Sequence, residues 1–258
     1  MIAAQSLQVM KKGMVIYMKH KITAIILAAG QGKRMNSPVA KQFLILQEKP
    51  VIYYSLKAFE ESSVDNIILV TGSGQVEYCR EQIVDFYQFK KVSQIIEGGE
   101  ERYDSVYRAL EKAGPTDYVL IHDGARPFIS IELIETIIGQ VQRYKACLVG
   151  TPVKETIKIV NSEGYIAATP NRNTLWAAQT PQAFEFSAIW KAYQLFYLEE
   201  NKTVPGITDD AMVYEAYLKS PVKMLLGDYN NLKLTTPEDL ILAESIIGQK
   251  TQKIDEIQ

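Results

Sequence analysis

The stretch ILAAGQGKRMNSPVAKQF (26–43) runs an aliphatic segment into Gly30-x-Gly32 and then presents Lys33, Arg34 and Lys41. Glycines at such a turn leave backbone N–H groups bare and let a ligand approach the main chain. Arginine adds a planar fork of donors and lysine a mobile point charge. These residue types suit an anion, above all a phosphate. The stretch is not a P-loop, because no Gly-Lys-Ser/Thr closes it. It is not the dinucleotide fingerprint either, because Met35 stands where the third glycine belongs. On this stretch alone, a surface turn carrying solvated cations remains open.

Two further stretches carry candidate chemistry. In EGGEERYDSV (97–106), Gly98 and Gly99 precede a helix start with Arg102 and Ser105 in its first turns. The free N–H donors there attract anions or polar groups, and Ser105 could read a base edge; an ordinary capped helix is the competing reading. In IHDGARPF (121–128), Asp123 before Gly124 could hold a ribose hydroxyl or a hydrated Mg²⁺, and Arg126 could pair with Asp123 or with ligand. His122 reads as a packed strand-end residue, since no second His, Cys or acid lies at ligand spacing; the other histidine, His20, reads as exposed. Thr156, Arg172, Thr180, Thr208 and Lys233 are types that could bind a second phosphate, yet spacing alone gives them as surface residues. Trp176 and Trp190 read as packing residues.

The elements that must position these residues follow from the hydrophobic pattern. ITAIILAAG (22–30), NIILVTG (66–72), YVLIHD (118–123) and ACLVGTPV (146–153) are short apolar runs of the kind found in strands covered on both faces. VIYYSLKAFEES (51–62), 98–114, IELIETIIGQVQRY (131–144), 187–199, 209–219 and 235–247 read as helices, the last with Thr236 at N-cap, Pro237 at N1 and Asp239 at N3. The alternation predicts an α/β fold, Rossmann-like, with a mostly parallel twisted sheet flanked by helices. Ligands of such sheets sit beyond the carboxyl ends of the strands, where Gly30, Gly98-Gly99 and Asp123-Gly124 fall. Residues 151–184 break the rhythm, with β-rich pieces and turn signals at 161–164 and 170–171. They read as a hairpin-like insertion, a projecting β-arm over about 152–174. No linker divides residues 21–248, so one domain is expected. Residues 1–20 read as a leader, disordered or following a mis-assigned start, with Met18 as an alternative first residue; 249–258 read as a loose polar tail.

Composition narrows the classes. The chain has 258 residues, and its formal net charge of -2 gives no global field for nucleic acid or an anionic membrane, so any anion site is local. The apolar part of the leader is too short and too polar to span a bilayer. Two separated cysteines, Cys79 and Cys147, form no framework or zinc motif and suit a reducing cytoplasm.

Read together, LAAGQGKRM…KQF, GGEERYDSV, HDGARPF, PVKETIK, PNRNTLWAAQTPQAF, ITDDA and NLKLTTPEDL resemble the 2-C-methyl-D-erythritol 4-phosphate cytidylyltransferases of the non-mevalonate isoprenoid pathway, from about Lys21 to Ile247. The resemblance implies transfer of CMP from CTP to the polyol phosphate, with Mg²⁺ held mainly by the nucleotide phosphates and Asp123 as a further ligand. It gives the nucleotide side to Ala28, Ala29, Gly30, Gly32, Gly99, Arg102, Ser105, Asp123 and Gly124. The second-substrate side falls to Arg126, Thr156, Arg172, Thr180, Thr208 and Lys233. Arg34, Lys41, Arg172 and Lys233 become the catalytic cations. It further implies a homodimer through the β-arm, with Thr156 and Arg172 acting across the interface. Two departures stand out: Gly124 where many members have Ala, and Glu100 where some have Asp. Ribitol-5-phosphate cytidylyltransferase is the nearest alternative. A catalytically dead nucleotide-binding protein is disfavoured by the retained cations, and a Rossmann oxidoreductase by the missing third glycine.

Overall fold

A computed structural model describes residues 20–30, 40–199 and 206–255 of the chain. The expected leader, apart from His20, lies outside the described residues, as do Gly32 and Arg34.

Strand β1 (Ile22–Ala28) is the axis of the molecule. Its side chains alternate between two cores: Ala24 and Ile26 face one cluster and Ile25 the other, all fully buried. An unbroken apolar run is therefore what a strand in this place requires. The chain continues through a short hairpin, β2 (Ile45–Leu46) and β3 (Lys49–Pro50), into α1 (Val51–Glu61) and β4 (Asn66–Thr71). Next come α2 (Val76–Cys79), which runs on into a π-helical turn, and β5 (Val92–Glu97). Helix α3 (Arg102–Lys112) then leads back to β6 (Tyr118–Asp123), α4 (Ile131–Tyr144) and β7 (Ala146–Pro152). A small hairpin, β8 (Ile159–Val160) and β9 (Ile166–Ala168), precedes β10 (Trp176–Glu185), α5 (Phe186–Leu198), α6 (Asp210–Leu218), β11 (Lys223–Leu226) and α7 (Pro237–Asp255).

The seven-stranded sheet has the order β11-β7-β10-β6-β1-β4-β5. All pairs are parallel except those of β10, which is antiparallel to both β6 and β7. Helices α1 and α4 cover one face, and α3, α5 and α6 the other. From β1 the chain winds outward to β4 and β5, then crosses back to place β6 on the opposite side of β1. The switch point lies between β1 and β6, where Leu27 pairs with Asp123.

Local signals act where the sequence put them. Ser130 caps α4, its side chain accepting from Leu133 N–H at 3.1 Å. Gly114, at φ +63°, lies just past the end of α3 in the left-handed region a helix stop favours. Asn161 closes the β8–β9 turn by accepting from the backbones of Glu163 and Tyr165. Two expectations are corrected. The stretch 176–184 is not insertion but a strand of the central sheet; small and polar residues (Ala177, Ala178, Gln179, Gln182) hid its apolar pattern. The polar tail is helical as far as Asp255, with Gly248 carried inside α7 and no proline after it to end the helix. Trp190 packs against Tyr107, whereas Trp176 is half-exposed at the base of the hairpin.

Candidate active site

Seven of the nine expected nucleotide residues meet at the switch point, Gly32 lying outside the described residues and Gly124 not lining the pocket. Ala28, Ala29 and Gly30 from the end of β1, Gly99, Arg102 and Ser105 from the β5–α3 junction, and Asp123 from the end of β6 line one pocket of about 180 Å³. Lys41 and Gln42 join it from the 3₁₀ turn Lys41–Phe43, and Lys233 from the segment before α7. An adjoining compartment shares Ala29, Gly30, Gln42 and Gly99 and continues over the Gly72–Gln75 loop. Sequence reasoning missed both that loop and Gln42.

Close approach explains the Gly98-Gly99 pair. A Cβ on Gly98 would come within 2.6 Å of Ser105 Oγ, and one on Gly99 would overlap the Asp104 side chain. The glycines thus let the end of β5 press against the end of β1. Glu101 and Asp104 form a reciprocal capping box that starts α3. Ser105 Oγ, almost fully buried, accepts from Gly99 N–H at 3.1 Å and donates to Glu101 O at 3.3 Å. Gln42 donates to Ala28 O, tying the Lys41 turn to the end of β1.

The pocket floor is a charge cluster. Asp123 receives Arg102 Nε at 3.2 Å on one oxygen and Lys233 Nζ at 2.8 Å on the other. Arg126 Nε stands 3.9 Å away, an electrostatic neighbour and not a hydrogen bond. Arg102 turns its two terminal nitrogens onto Asp210 in a bidentate pair at 3.0 and 2.8 Å. Asp210 is fully buried and also accepts from Tyr193 OH at 2.7 Å. Three cations therefore face two carboxylates, and Lys41 lines the same pocket. Glu100 and Glu101 line the pocket as well, so the positive charge is concentrated around Asp123 and not spread over the lining. Burial alone would raise the Asp123 pKa; Arg102, Lys233 and Arg126 overcome it and hold the carboxyl far below the usual carboxylate range. Burial lowers the Arg126 pKa and Asp123 opposes it.

Behind Asp123 lies a buried polar layer. Gly124 N–H bonds to Leu27 O at 2.8 Å and Arg126 N–H to Asp123 O at 3.0 Å, which closes the Asp123–Arg126 turn. Arg126 donates to the carbonyl of buried Asn231 at 2.7 Å, and the Asn231 amide donates to Thr180 O at 2.9 Å. His122 is fully buried and packs on Phe59, as a strand-end residue should. Burial pushes its pKa down to about 3, so it is neutral at physiological pH. Thr180, which spacing alone gives as a surface residue, is buried, its hydroxyl 3.0 Å from Asp123 N and 3.1 Å from His122 Nδ1.

The remaining expected residues stand apart. Thr156 and Arg172 are exposed on the segment that carries the β8–β9 hairpin, where Arg172 donates to Lys154 O at 2.9 Å. Thr208 is exposed just before α6 and bonds to the Met212 sulfur. None of the three lines the pocket at the switch point. Asp210 and Asn231 went unassigned in the sequence, although the second acid of ITDDA marks the first. Among the described residues, no group of three His, Cys, Asp or Glu is placed to hold a metal. No helix among them is long and apolar enough to cross a membrane.

Comparison with known proteins agrees with this geometry. Residues 22–249 match the family model of 2-C-methyl-D-erythritol 4-phosphate cytidylyltransferase (IspD). A relative of that name from Lachnoclostridium phytofermentans is 50% identical, covering 89% of this chain and 97% of the relative. Another from Clostridium perfringens is 47% identical, covering 88% and 99%. The crystal structure of a 4-diphosphocytidyl-2C-methyl-D-erythritol synthase from Anaerococcus prevotii superposes with a TM-score of 0.77 at 32% identity, covering 89% of this chain and 96% of that one. The chain belongs to the 2-C-methyl-D-erythritol 4-phosphate cytidylyltransferase family.

Proposed function

We infer that this protein transfers the cytidylyl group of CTP to 2-C-methyl-D-erythritol 4-phosphate, forming 4-diphosphocytidyl-2-C-methyl-D-erythritol and pyrophosphate. The observation that carries the reading is the cluster of cations around Asp123, beside the glycine-lined ends of β1 and β5. A phosphate oxygen of the polyol phosphate attacks the α-phosphorus in line. That oxygen is already ionised at neutral pH, so the enzyme needs neither a nucleophile of its own nor a general base. Its task is to position two anions and cancel their repulsion. In this reading the main chains of Ala28, Ala29 and Gly99, with Ser105, bind the cytosine side. Lys41, Lys233 and Arg34 stabilise the charge that develops at the α-phosphoryl group. Gly124 and Arg126 shape the ribose and polyol side.

A hard divalent cation such as Mg²⁺ would arrive with the triphosphate and take most of its ligands from the phosphates, with Asp123 adding one ionised carboxylate at the pocket floor. Asp123 would hold the ion, which when bound neutralises phosphate charge. Asp210, by gripping Arg102 from behind, keeps Asp123 aligned.

A homodimer joined through the hairpin segment belongs to the same proposal, with Thr156 and Arg172 reaching the partner's pocket and Thr180 and Thr208 supporting the polyol side. Exposed Ile159, Val160, Tyr165 and Ile166 support it. Cytoplasmic placement is supported by two free, buried thiols, Cys79 and Cys147.

The deciding experiment measures pyrophosphate release from CTP with 2-C-methyl-D-erythritol 4-phosphate. ATP, GTP and UTP replace CTP in controls, and ribitol 5-phosphate replaces the acceptor. Release with CTP and the methylerythritol phosphate alone is the expected outcome. Equal or faster release with ribitol 5-phosphate would overturn the substrate assignment.

A further inference from the structure

We propose that His122 is a positioning residue for the cytidylyl transfer: a buried hydrogen-bond wire from Asp123 N–H through Thr180 and His122 to Arg126 O fixes the turn that carries both Asp123 and Arg126. The proposal rests on the functional reading above and goes beyond it, since His122 touches no part of the pocket.

The need for the wire arises in the sheet. Strand β10 pairs with β6 in register up to Gln182–Ile121, and with β7 it shifts register between Ala178 and Gln182. At that irregularity the ladder supplies no backbone acceptor to Asp123 N–H, and a buried, unpaired N–H is costly. Thr180 Oγ fills the gap at 3.0 Å. The hydroxyl lies 3.1 Å from His122 Nδ1, and His122 Nε2 lies 3.4 Å from Arg126 O.

The direction of the wire follows from its ends. A carbonyl only accepts, so the wire requires the proton on Nε2; the competing tautomer would turn an Nδ1 proton toward the backbone oxygen of Thr180. A neutral ring has one N–H, so Nδ1 accepts and the Thr180 hydroxyl donates to it. That leaves the Thr180 oxygen to accept from Asp123 N–H. Each donor meets one acceptor, within side chains of 0 and 4% exposure. Phe59 packs on the ring, and Ser55 Oγ, 3.1 Å from Arg126 O, braces the same carbonyl. The turn so fixed presents the carboxylate gripped by Arg102 and Lys233. Misplacing a reacting constellation by an ångström can cost on the order of 10²-fold in rate.

Three measurements test this. First, ¹⁵N-edited NMR of the wild-type ring: with two histidines in the chain, His20 serves as an internal reference. A protonated Nε2 and bare Nδ1 on His122 are expected; a proton on Nδ1 overturns the wire, whatever the activity assay gives. Second, kinetics. His122→Phe keeps the bulk and removes both bonds, and about ten-fold lower kcat at nearly unchanged KM for CTP is expected. His122→Asn, whose amide oxygen can replace Nδ1 as acceptor, is expected within about three-fold of wild type. Should His122→Phe fail to fold, His122→Asn and the NMR readout still decide the matter. Unchanged kcat in a folded His122→Phe enzyme overturns the proposal, as does an equal loss in His122→Asn. Third, a cycle with Thr180→Val: the double variant should be no slower than the slower single variant, because one wire is cut twice. Penalties that multiply would mean that the two residues act separately. A wild-type enzyme silent with CTP and the methylerythritol phosphate would overturn the functional reading, while the ring tautomer would still report on the wire.

Discussion

At the scale of single residues, the cations are assigned different tasks. Arg102 faces two carboxylates with all three guanidinium nitrogens, so its work is to align Asp123. Asp210→Asn removes the charge of the fully buried member of a pair whose arginine is about a quarter exposed. Breaking such a pair costs roughly 3–5 kcal/mol, so a clear drop in urea midpoint is expected, with a larger loss in activity than at an exposed carboxylate such as Glu61. Lys41 is assigned to the substrate in the proposed function. It lines the pocket where the nucleotide phosphates are placed, and Lys41→Ala should lower kcat by about 10²–10³ with a small change in KM for CTP. The same split is expected for Arg34→Ala, and a rise in KM with kcat intact would refute the role. His122 also gives a pH signature. The unfolded chain takes up its proton near pH 6.5 and the folded chain only near pH 3. Between these values the unfolded state binds more protons, so stability falls as pH drops through that window, by at most about 1.4 kcal/mol per unit from this residue. Urea unfolding at neutral and mildly acid pH should show a shallower loss in His122→Phe than in wild type.

At the scale of elements, the glycines record how tightly the strand ends are packed. The resemblance marks Gly124 as a departure from the family pattern, and the strand ends pack tightly there. A Cβ there would overlap Ile52 Cδ1 and stand 3.0 Å from Leu27 O. Gly124→Ala should therefore destabilise the fold by roughly 1–3 kcal/mol through overpacking. Adding Ile52→Val, which deletes the offending methyl, should recover part of that loss, although alone it costs about 0.5–1.5 kcal/mol. Thermal unfolding of the two single variants and the double checks this; strict additivity would mean that Ile52 is not the obstacle. The legible half of the molecule is of this local kind. Strands ending in glycine, the caps of α3, α4 and α7, and the anion character of the first loop all follow from neighbouring residues. What stayed hidden depends on partners far apart in sequence. Arg102 and Asp210 are 108 positions apart, and Asp123 and Thr180 are 57. No periodicity announces such a pair. Strand β10 was read as insertion because its buried residues include Gln179, Thr180 and Gln182, whose polar groups are spent on partners that only the fold supplies.

At the scale of the whole molecule, one exposed feature among the described residues bears on assembly. Every residue from 154 to 169 is exposed, and the β8–β9 hairpin within it shows Ile159, Val160, Tyr165 and Ile166 to solvent. An isolated two-stranded hairpin is marginal in water, so a second copy that covers these side chains accounts for their type. If the hairpin delivers Arg172 to the other subunit's pocket, each active site needs Lys41 from one chain and Arg172 from the other. Lys41→Ala and Arg172→Ala homodimers would then each be nearly inactive. Unfolded together and refolded as a mixture, half of their dimers would be mixed, and each mixed dimer would hold one site with both cations intact. Activity should return to about a quarter of wild type. Were Arg172 to serve its own chain's pocket, every site in the mixture would lack a cation and mixing would restore nothing. Placing Glu at Ile166 should prevent the recovery by separating the subunits, visible as a shift to monomer in sedimentation. A monomeric Ile166→Glu enzyme with full activity would remove the hairpin from the catalytic account.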